Sequence, residues 1–304
     1  MEYDTAGDPI TGLKWSRKTT AKIAAQLHRA GIPVSPTTVR RLLHDLDYSL
    51  RVNHKMIATD SSPDRDLQFD SIRQMRQRFL RHAHPIISVD SKKRELVGNF
   101  KSSGAKWDHA PLPVNDHDFR SDAVGIAILY GIYDLAANRG SLFVGVSHDT
   151  ATFAVRSIAQ WWRSEGCLRY PHTQDLLILA DTGGSNSSRC AAWKDQVQKQ
   201  LCDRFTLTLT VAHYPTGASK WNPIEHRLFS EISKNWAGEP LTSYEKILKF
   251  IRTTKTETGL RVRAYLDKAH YPTQLKVSRQ RFDQLNLTQH KILPKWNYTL
   301  TPKM

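Results

Sequence analysis

The sequence predicts an α/β protein: a mixed five-stranded sheet with flanking helices, preceded by a small all-α domain built on two short helices. Three observations predict it. Apolar runs of strand length recur at residues 86–90, 125–133, 141–146, 176–181 and 207–212. Segments with helical apolar spacing separate the later runs, the alternation expected of a sheet covered by helices. Ahead of all of these, two short amphipathic segments are joined by a turn containing Gly31.

Composition sets the outer limits. A chain of 304 residues buries a substantial core. Its 39% hydrophobic and 24% charged residues, with 15 Gly and 14 Pro, exclude a collagen-like, low-complexity or wholly disordered chain. The 44 Lys+Arg against 29 Asp+Glu leave a net +15, which points to a polyanionic partner, most simply nucleic acid. Cys167, Cys190 and Cys202 are too few and too irregularly spaced for a disulfide framework or a zinc module and read as reduced thiols. The start, Met1-Glu2-Tyr3-Asp4, lacks a signal-peptide pattern, and the most apolar stretch, 123–133, is too short to span a bilayer. The expectation is a soluble cytoplasmic chain, associated with the nucleoid and without membrane contact.

The elements follow in order. Residues 1–15, with Gly7, Pro9 and Gly12, form an irregular arm, and 16–50 a helix-turn-helix domain. Ile23, Ala24, Leu27 and Ala30 line one helical face, and Gly31 stops that helix. Ser35 is a candidate N-cap and Pro36 the first residue of a second helix carrying Val39, Leu42, Leu43 and Leu46. Thr37, Thr38, Arg40 and Arg41 then stand at its exposed start, placed to reach phosphates and base edges in a major groove. An ordinary helical hairpin is the alternative. Residues 51–84 read as a linker and connecting helix. His82 and His84 lack a third partner and are given no role.

Residues 85–238 form the α/β core. After the first run, Glu95-Leu96-Val97-Gly98-Asn99-Phe100 follows a basic turn as a hairpin partner would, and 101–120 is loop. The order is three antiparallel strands, helix, strand, helix, strand, helix. Residues 239–304 read as a C-terminal helical extension: 241–255 as helix, 259–267 as helix or strand, with packing or DNA-surface contacts and no chemistry.

This order matters because of where it puts acids. Asp90 ends the first strand, Asp181 the fourth, and Glu225 opens the helix after the fifth. If strands one and four are neighbours, their carboxyl ends converge where open α/β sheets place ligands. Three such oxygen ligands suit Mg²⁺ or Mn²⁺. Two ions about 3.5–4 Å apart would activate a water or 3′-hydroxyl and stabilise the departing oxygen. Each acid also has an ordinary reading. Asp90 fits a strand-end turn, Asp181 a βα loop, and Glu225 a capping box with Asn222 and Pro223.

The wording of several stretches resembles a family. Residues 87–101 (Ile-Ser-Val-Asp-Ser-Lys-Lys-Arg-Glu-Leu-Val-Gly-Asn-Phe-Lys), 130–138 (Tyr-Gly-Ile-Tyr-Asp-Leu-Ala-Ala-Asn), 180–186 (Ala-Asp-Thr-Gly-Gly-Ser-Asn), 219–229 (Ser-Lys-Trp-Asn-Pro-Ile-Glu-His-Arg-Leu-Phe) and the terminal Trp296-Asn297-Tyr298 are similar to the Rhodopirellula-type DDE transposases of bacterial insertion sequences. The resemblance runs from about Asp4 to the C-terminus. It implies an RNase H-like catalytic domain in which Asp90, Asp181 and Glu225 are the metal-binding catalytic acids, with Mg²⁺ or Mn²⁺ as cofactor at two ions per site. It also implies double-stranded DNA partners, namely terminal inverted repeats and target DNA, and a dimer or higher oligomer on DNA.

The leading reading is therefore an endonuclease and strand transferase of DNA transposition that cuts insertion-sequence ends and joins the 3′-OH to target DNA. Lys92, Lys93, Arg94, Lys101 and Lys220 are candidate phosphate contacts, with His226 and Arg227 as weaker candidates. A second reading is a non-catalytic, truncated DNA-binding remnant or regulator occupying the terminal repeats. A third, a nuclease acting on RNA–DNA hybrids, is disfavoured by the helix-turn-helix.

Overall fold

In the computed structural model, the described residues are the backbone of 5–7 and 14–16 together with 18–49, 63–218 and 221–303. The chain divides into two compact units, residues 1–58 and 59–304.

In the first unit, β1 (Thr5–Gly7) and β2 (Lys14–Ser16) pair antiparallel, so the arm expected to be irregular carries a short hairpin. Helix α1 (Thr20–Arg29) is capped by Thr19, which accepts from Lys22 N–H at 3.3 Å, and Gly31 follows in the left-handed region at φ 82°. Helix α2 (Pro36–Asp45) opens with Ser35 as N-cap and Pro36 at the first position. Ala24 and Val39 are the buried apolar residues of this pair.

The second unit begins with α3 (Arg65–Arg81) and holds an eight-stranded sheet. Its members are β3 (Ile86–Val97), β4 (Gly125–Asp134), β5 (Arg139–Gly145), β6 (Asp175–Ala180), β7 (Thr208–His213), β8 (Arg261–Asp267), β9 (Leu287–Gln289) and β10 (Asn297–Leu300). The spatial order is β8-β5-β4-β3-β6-β7-β10-β9. Strand β4 runs antiparallel to β3 and β5, whereas β3, β6 and β7 are parallel. The block β5-β4-β3-β6-β7 is the RNase H-like arrangement.

Three strands join the expected five, all from the C-terminal region read as a helical extension, in which 259–267, open as helix or strand, carries a strand. In β8 the exposed Arg261 and Arg263 alternate with the buried Val262 and Ala264, a period of two that fits an edge strand parallel to β5. Strands β9 and β10 are three and four residues long, too short to announce themselves by periodicity. Of the predicted helices there, 241–255 is α9 (Tyr244–Thr253), and α10 (Arg279–Asp283) is a single short helix.

A second departure concerns residues 95–100. They do not return as a hairpin partner; 95–97 continue β3, which spans twelve residues and pairs with β4 throughout. A β-bulge between Lys92 and Glu95 places the exposed Lys93 and Arg94 on the bulged strand. The polar run Ser91-Lys92-Lys93-Arg94 mimics a turn because it includes this bulge.

Helices cover both faces. Ile87, Val89, Leu176, Ile178 and Ala180 pack with α4 (Ala151–Trp161) and α6 (Ala191–Val197), around the buried Trp161 and Trp193. Helix α4 runs through a π turn (Trp162–Gly166) into α5 (Cys167–Arg169), and α6 through a second π turn (Gln198–Cys202) into α7 (Asp203–Phe205). On the other face Ile86, Leu177 and Leu179 meet Ile72, Met75 and Phe79 of α3. Beside them, Leu129, Leu142 and Val144 pack with the π turn Glu225–Phe229, α8 (Ser230–Asn235) and α9. Parallel strands covered on both faces explain the unbroken apolar word 176–180.

Candidate active site

The site forms where β6 ends beside the middle of β3: Asp90, expected to end its strand, is the fifth residue of a strand that continues to Val97. These parallel strands are in register from Ile86–Leu177 to Val89–Ala180, so Asp90 and Asp181 are the next residues on adjacent strands, about 5 Å apart by the strand spacing. By alternation both follow the side facing α3 and Asn222. Asp90 Oδ1 accepts from Ser91 N–H at 2.7 Å, and Asp181 Oδ1 from Thr182 N–H at 2.6 Å.

Glu225 comes from a separate element, the π turn Glu225–Phe229. Its helix is seated on β4, where Gly131 pairs with Asp90. A side chain at Gly131 would collide with Phe229 and Ile224, so glycine is what permits this approach. The Ser88 hydroxyl donates to Asn222 Oδ1 and accepts from Ile224 N–H at 3.3 Å. Two residues ahead of Asp90, Ser88 thus ties the start of the Glu225 helix to the strand that carries Asp90. Asn222 is fully buried, and its Nδ2 has no partner among the described residues.

The electrostatics register how close the acids are. Burial, with Asp181 next and Glu225 and Asp149 adding, pushes the Asp90 carboxyl up to about 7; the Ser91 N–H opposes this. Burial also raises Glu225, helped by Asp181 and opposed by His226 and Lys92. Asp149, just ahead of α4, is a fourth acid that no sequence pattern singles out; Ser91 Oγ donates to its Oδ1 at 3.1 Å. The loop after Asp181 closes over this side. Ser185 Oγ lies 3.4 Å from Ser91 Oγ, and Tyr130 donates to Asn186 Oδ1 at 2.8 Å. Among the described residues, no three His, Cys, Asp or Glu side chains close on a common point as metal ligands.

A buried chain supports Asp181 from behind. Trp193 Nε1–H donates to Tyr298 Oη, which donates to His213 Nε2; His213 Nδ1–H donates to the Asp181 carbonyl, each at 3.0 Å. Burial lowers His213 to about 4 and holds it neutral, as this tautomer requires. Gln68 donates to the His213 carbonyl and to Asn297 Oδ1, both at 2.8 Å, and Asn297 Nδ2 returns a bond to Gln68 at 2.7 Å. The signal for these residues lies in Trp296-Asn297-Tyr298, whose role no local pattern discloses.

The remaining candidates divide. Lys92 is near Glu225 but bonded to Glu95 Oε1 at 2.6 Å and set over the Trp236 ring at 4.9 Å. Lys93, Arg94, Lys101, His226 and Arg227 are exposed. Lys220 lies outside the described residues. On α2, Thr37, Arg40 and Arg41 are exposed, whereas Thr38 is engaged in the N-cap: its N–H bonds Ser35 Oγ at 3.1 Å and its hydroxyl lies 2.9 Å from the same atom.

No helix among the described residues is long and apolar enough to cross a membrane. A comparison with curated proteins gives no match. Among solved structures, a Mos1 transposase paired-end complex with the left transposon end is 17% identical (TM-score 0.45) and a pre-cleavage Mos1 transpososome 16% (TM-score 0.48). A Mos1 mariner paired-end complex with Mn is 17% identical (TM-score 0.46). Each match covers 77% of this chain and 65% of that chain, just under two thirds of the solved protein's length. The family model described as the Rhodopirellula transposase DDE domain matches residues 1–302, and the chain belongs to that family.

Proposed function

We propose that this chain is a metal-dependent DNA transposase that nicks insertion-sequence ends and transfers the freed 3′-OH to target DNA, with Asp90, Asp181 and Glu225 as its catalytic acids. The observation that carries the reading is the side-by-side placement of Asp90 and Asp181 on adjacent parallel strands, with Glu225 close enough to feel their charge. The donors fit a divalent cation. They are carboxylates near enough to raise one another's protonation, and Lys92, a cation beside Glu225, is already paired with Glu95. Asp90, Asp181 and Glu225 would hold Mg²⁺ or Mn²⁺, two ions per site. When bound, such ions supply activation of the attacking water or 3′-hydroxyl and neutralisation of charge at the departing oxygen.

The chain's own groups do the positioning. Ser88 and Asn222 hold the Glu225 helix against β3, while His213 and Tyr298 fix the backbone at Asp181. Lys93 and Arg94 on the bulge contact phosphates near the acids, and Lys101 and Lys220 are further phosphate contacts. In the first unit, Thr37, Arg40 and Arg41 contact the terminal inverted repeats. Cutting two ends together calls for a dimer or larger assembly on DNA. The test is nicking of a labelled duplex carrying the element end, in Mg²⁺ or Mn²⁺ against EDTA, with Asp181→Asn alongside. Nicking that needs metal and vanishes in the variant supports the reading; binding without nicking would make the chain a DNA-binding remnant.

A further inference from the structure

On the face covered by α4 and α6, the two helices leave a cleft of about 330 Å³. Arg156, Gln160 and Arg163 line one wall, and Gln196, Gln200 and Arg204 the other. Spacings of four, three, four and four residues keep each set on one helical face. At about 1.5 Å rise per residue, Arg156 and Arg163 stand about 10 Å apart along their helix. Among the described residues no carboxylate lines the cleft, so three arginines line one space with no acid in its walls. Both helices also leave regular geometry here: Arg163 lies in the π turn Trp162–Gly166 and Gln200 in the π turn Gln198–Cys202. Such turns are rare and concentrate at functional sites.

We infer that this cleft binds the phosphodiester backbone of nucleic acid, apart from the carboxylate edge, with none of whose residues it shares a wall. The inference rests on the proposed DNA transposition and adds a surface to it. Guanidinium forks match paired phosphate oxygens, and carboxamide N–H groups supply further donors. Contacts to phosphate carry no base information, so the cleft takes duplex DNA of any sequence.

The experiment measures binding of the full chain to a labelled duplex lacking element sequence, across a salt series. Replacing Arg156, Arg163 and Arg204 together by Gln is expected to weaken binding at least tenfold near 0.1 M salt. It should also flatten the slope of log K against log salt by about 2 to 3, close to 0.9 for each phosphate no longer neutralised. The Arg→Lys triple keeps the charges and is expected to keep the slope. If the intact chain binds and the Gln triple binds equally well with the same slope, the inference falls and the transposase reading stands. A Lys triple whose slope flattens as fully as that of the Gln triple, or polyglutamate displacing DNA as well as unlabelled duplex does, also overturns it. An intact chain that binds neither this duplex nor the element-end duplex overturns both.

Discussion

Asp90 is paired across β3 and β4 with Gly131, and the missing side chain at Gly131 is what lets Ile224 and Phe229 lie against the sheet beside that acid. One glycine therefore sets how closely the helix bearing Glu225 approaches the strand bearing Asp90. Gly131→Ala is expected to cost about 1–3 kcal/mol by overpacking. Nicking should fall further than stability alone explains, because the displaced residues carry Glu225. Urea melts and nicking rates on the same preparation check this; full activity with an unchanged melt would contradict it.

Ser88 serves two bonds to the Glu225 segment. Ser88→Ala removes the donor to Asn222 Oδ1 and the acceptor for Ile224 N–H, leaving buried polar groups unsatisfied. The expected cost is about 1–3 kcal/mol. Ser88→Thr keeps the hydroxyl and is expected to recover much of the nicking rate that Ser88→Ala forfeits, a rescue that a purely volume-based role would not give.

Much of this site is legible in the sequence, for definite reasons. Asp90 and Asp181 follow apolar words whose strand character is unmistakable; Asp181 leaves its strand there, whereas Asp90 sits inside a β3 that the polar run after it disguises. Glu225 follows Asn222-Pro223, which fixes a helix start. What escapes is non-local. His213 and Tyr298 are 85 residues apart and meet only because β10 pairs with β7. Asp149 reads as an ordinary residue ahead of a helix until Ser91 is brought to it. Short β9 and β10 and the bulge in β3 carry no period of their own. That Thr38 bonds the N-cap Ser35 is equally hidden, because capping and base-reading residues share the same first turn.

The crowded acids are expected to cost stability when no cation is present. At a pH well above 7, where the Asp90 carboxyl is ionised, Asp90→Asn removes a charge opposed by burial and by Asp181, Glu225 and Asp149, so its thermal midpoint in EDTA should rise, by about 2–4 °C per kcal/mol relieved. Added Mg²⁺ should stabilise the intact chain by mass action and the variant much less. Calorimetry in EDTA and in Mg²⁺ reads both; a variant less stable than the intact chain in EDTA would refute the crowding.

His213 gives a pH dependence of definite sign. Its folded value of about 4 lies below the ordinary 6.5, so the unfolded chain binds the proton first. The contribution is fully present above about pH 6.5 and is lost as pH falls toward 4, reaching about 3 kcal/mol. Denaturant melts from pH 7.5 to 4.5, compared with His213→Gln, should show this acid-side loss in the intact chain and a smaller one in the variant.

The central claim is that Asp90 and Asp181 together hold the divalent cation on which nicking depends. The most direct measurement is a Mn²⁺ titration by electron paramagnetic resonance of the intact chain, Asp90→Asn and Asp181→Asn, with nicking of the element-end duplex followed in the same samples. Binding in the intact chain that tracks nicking, and loss of both in each variant, is the predicted result. Equal Mn²⁺ binding by all three proteins, or nicking that persists in either variant, would contradict it.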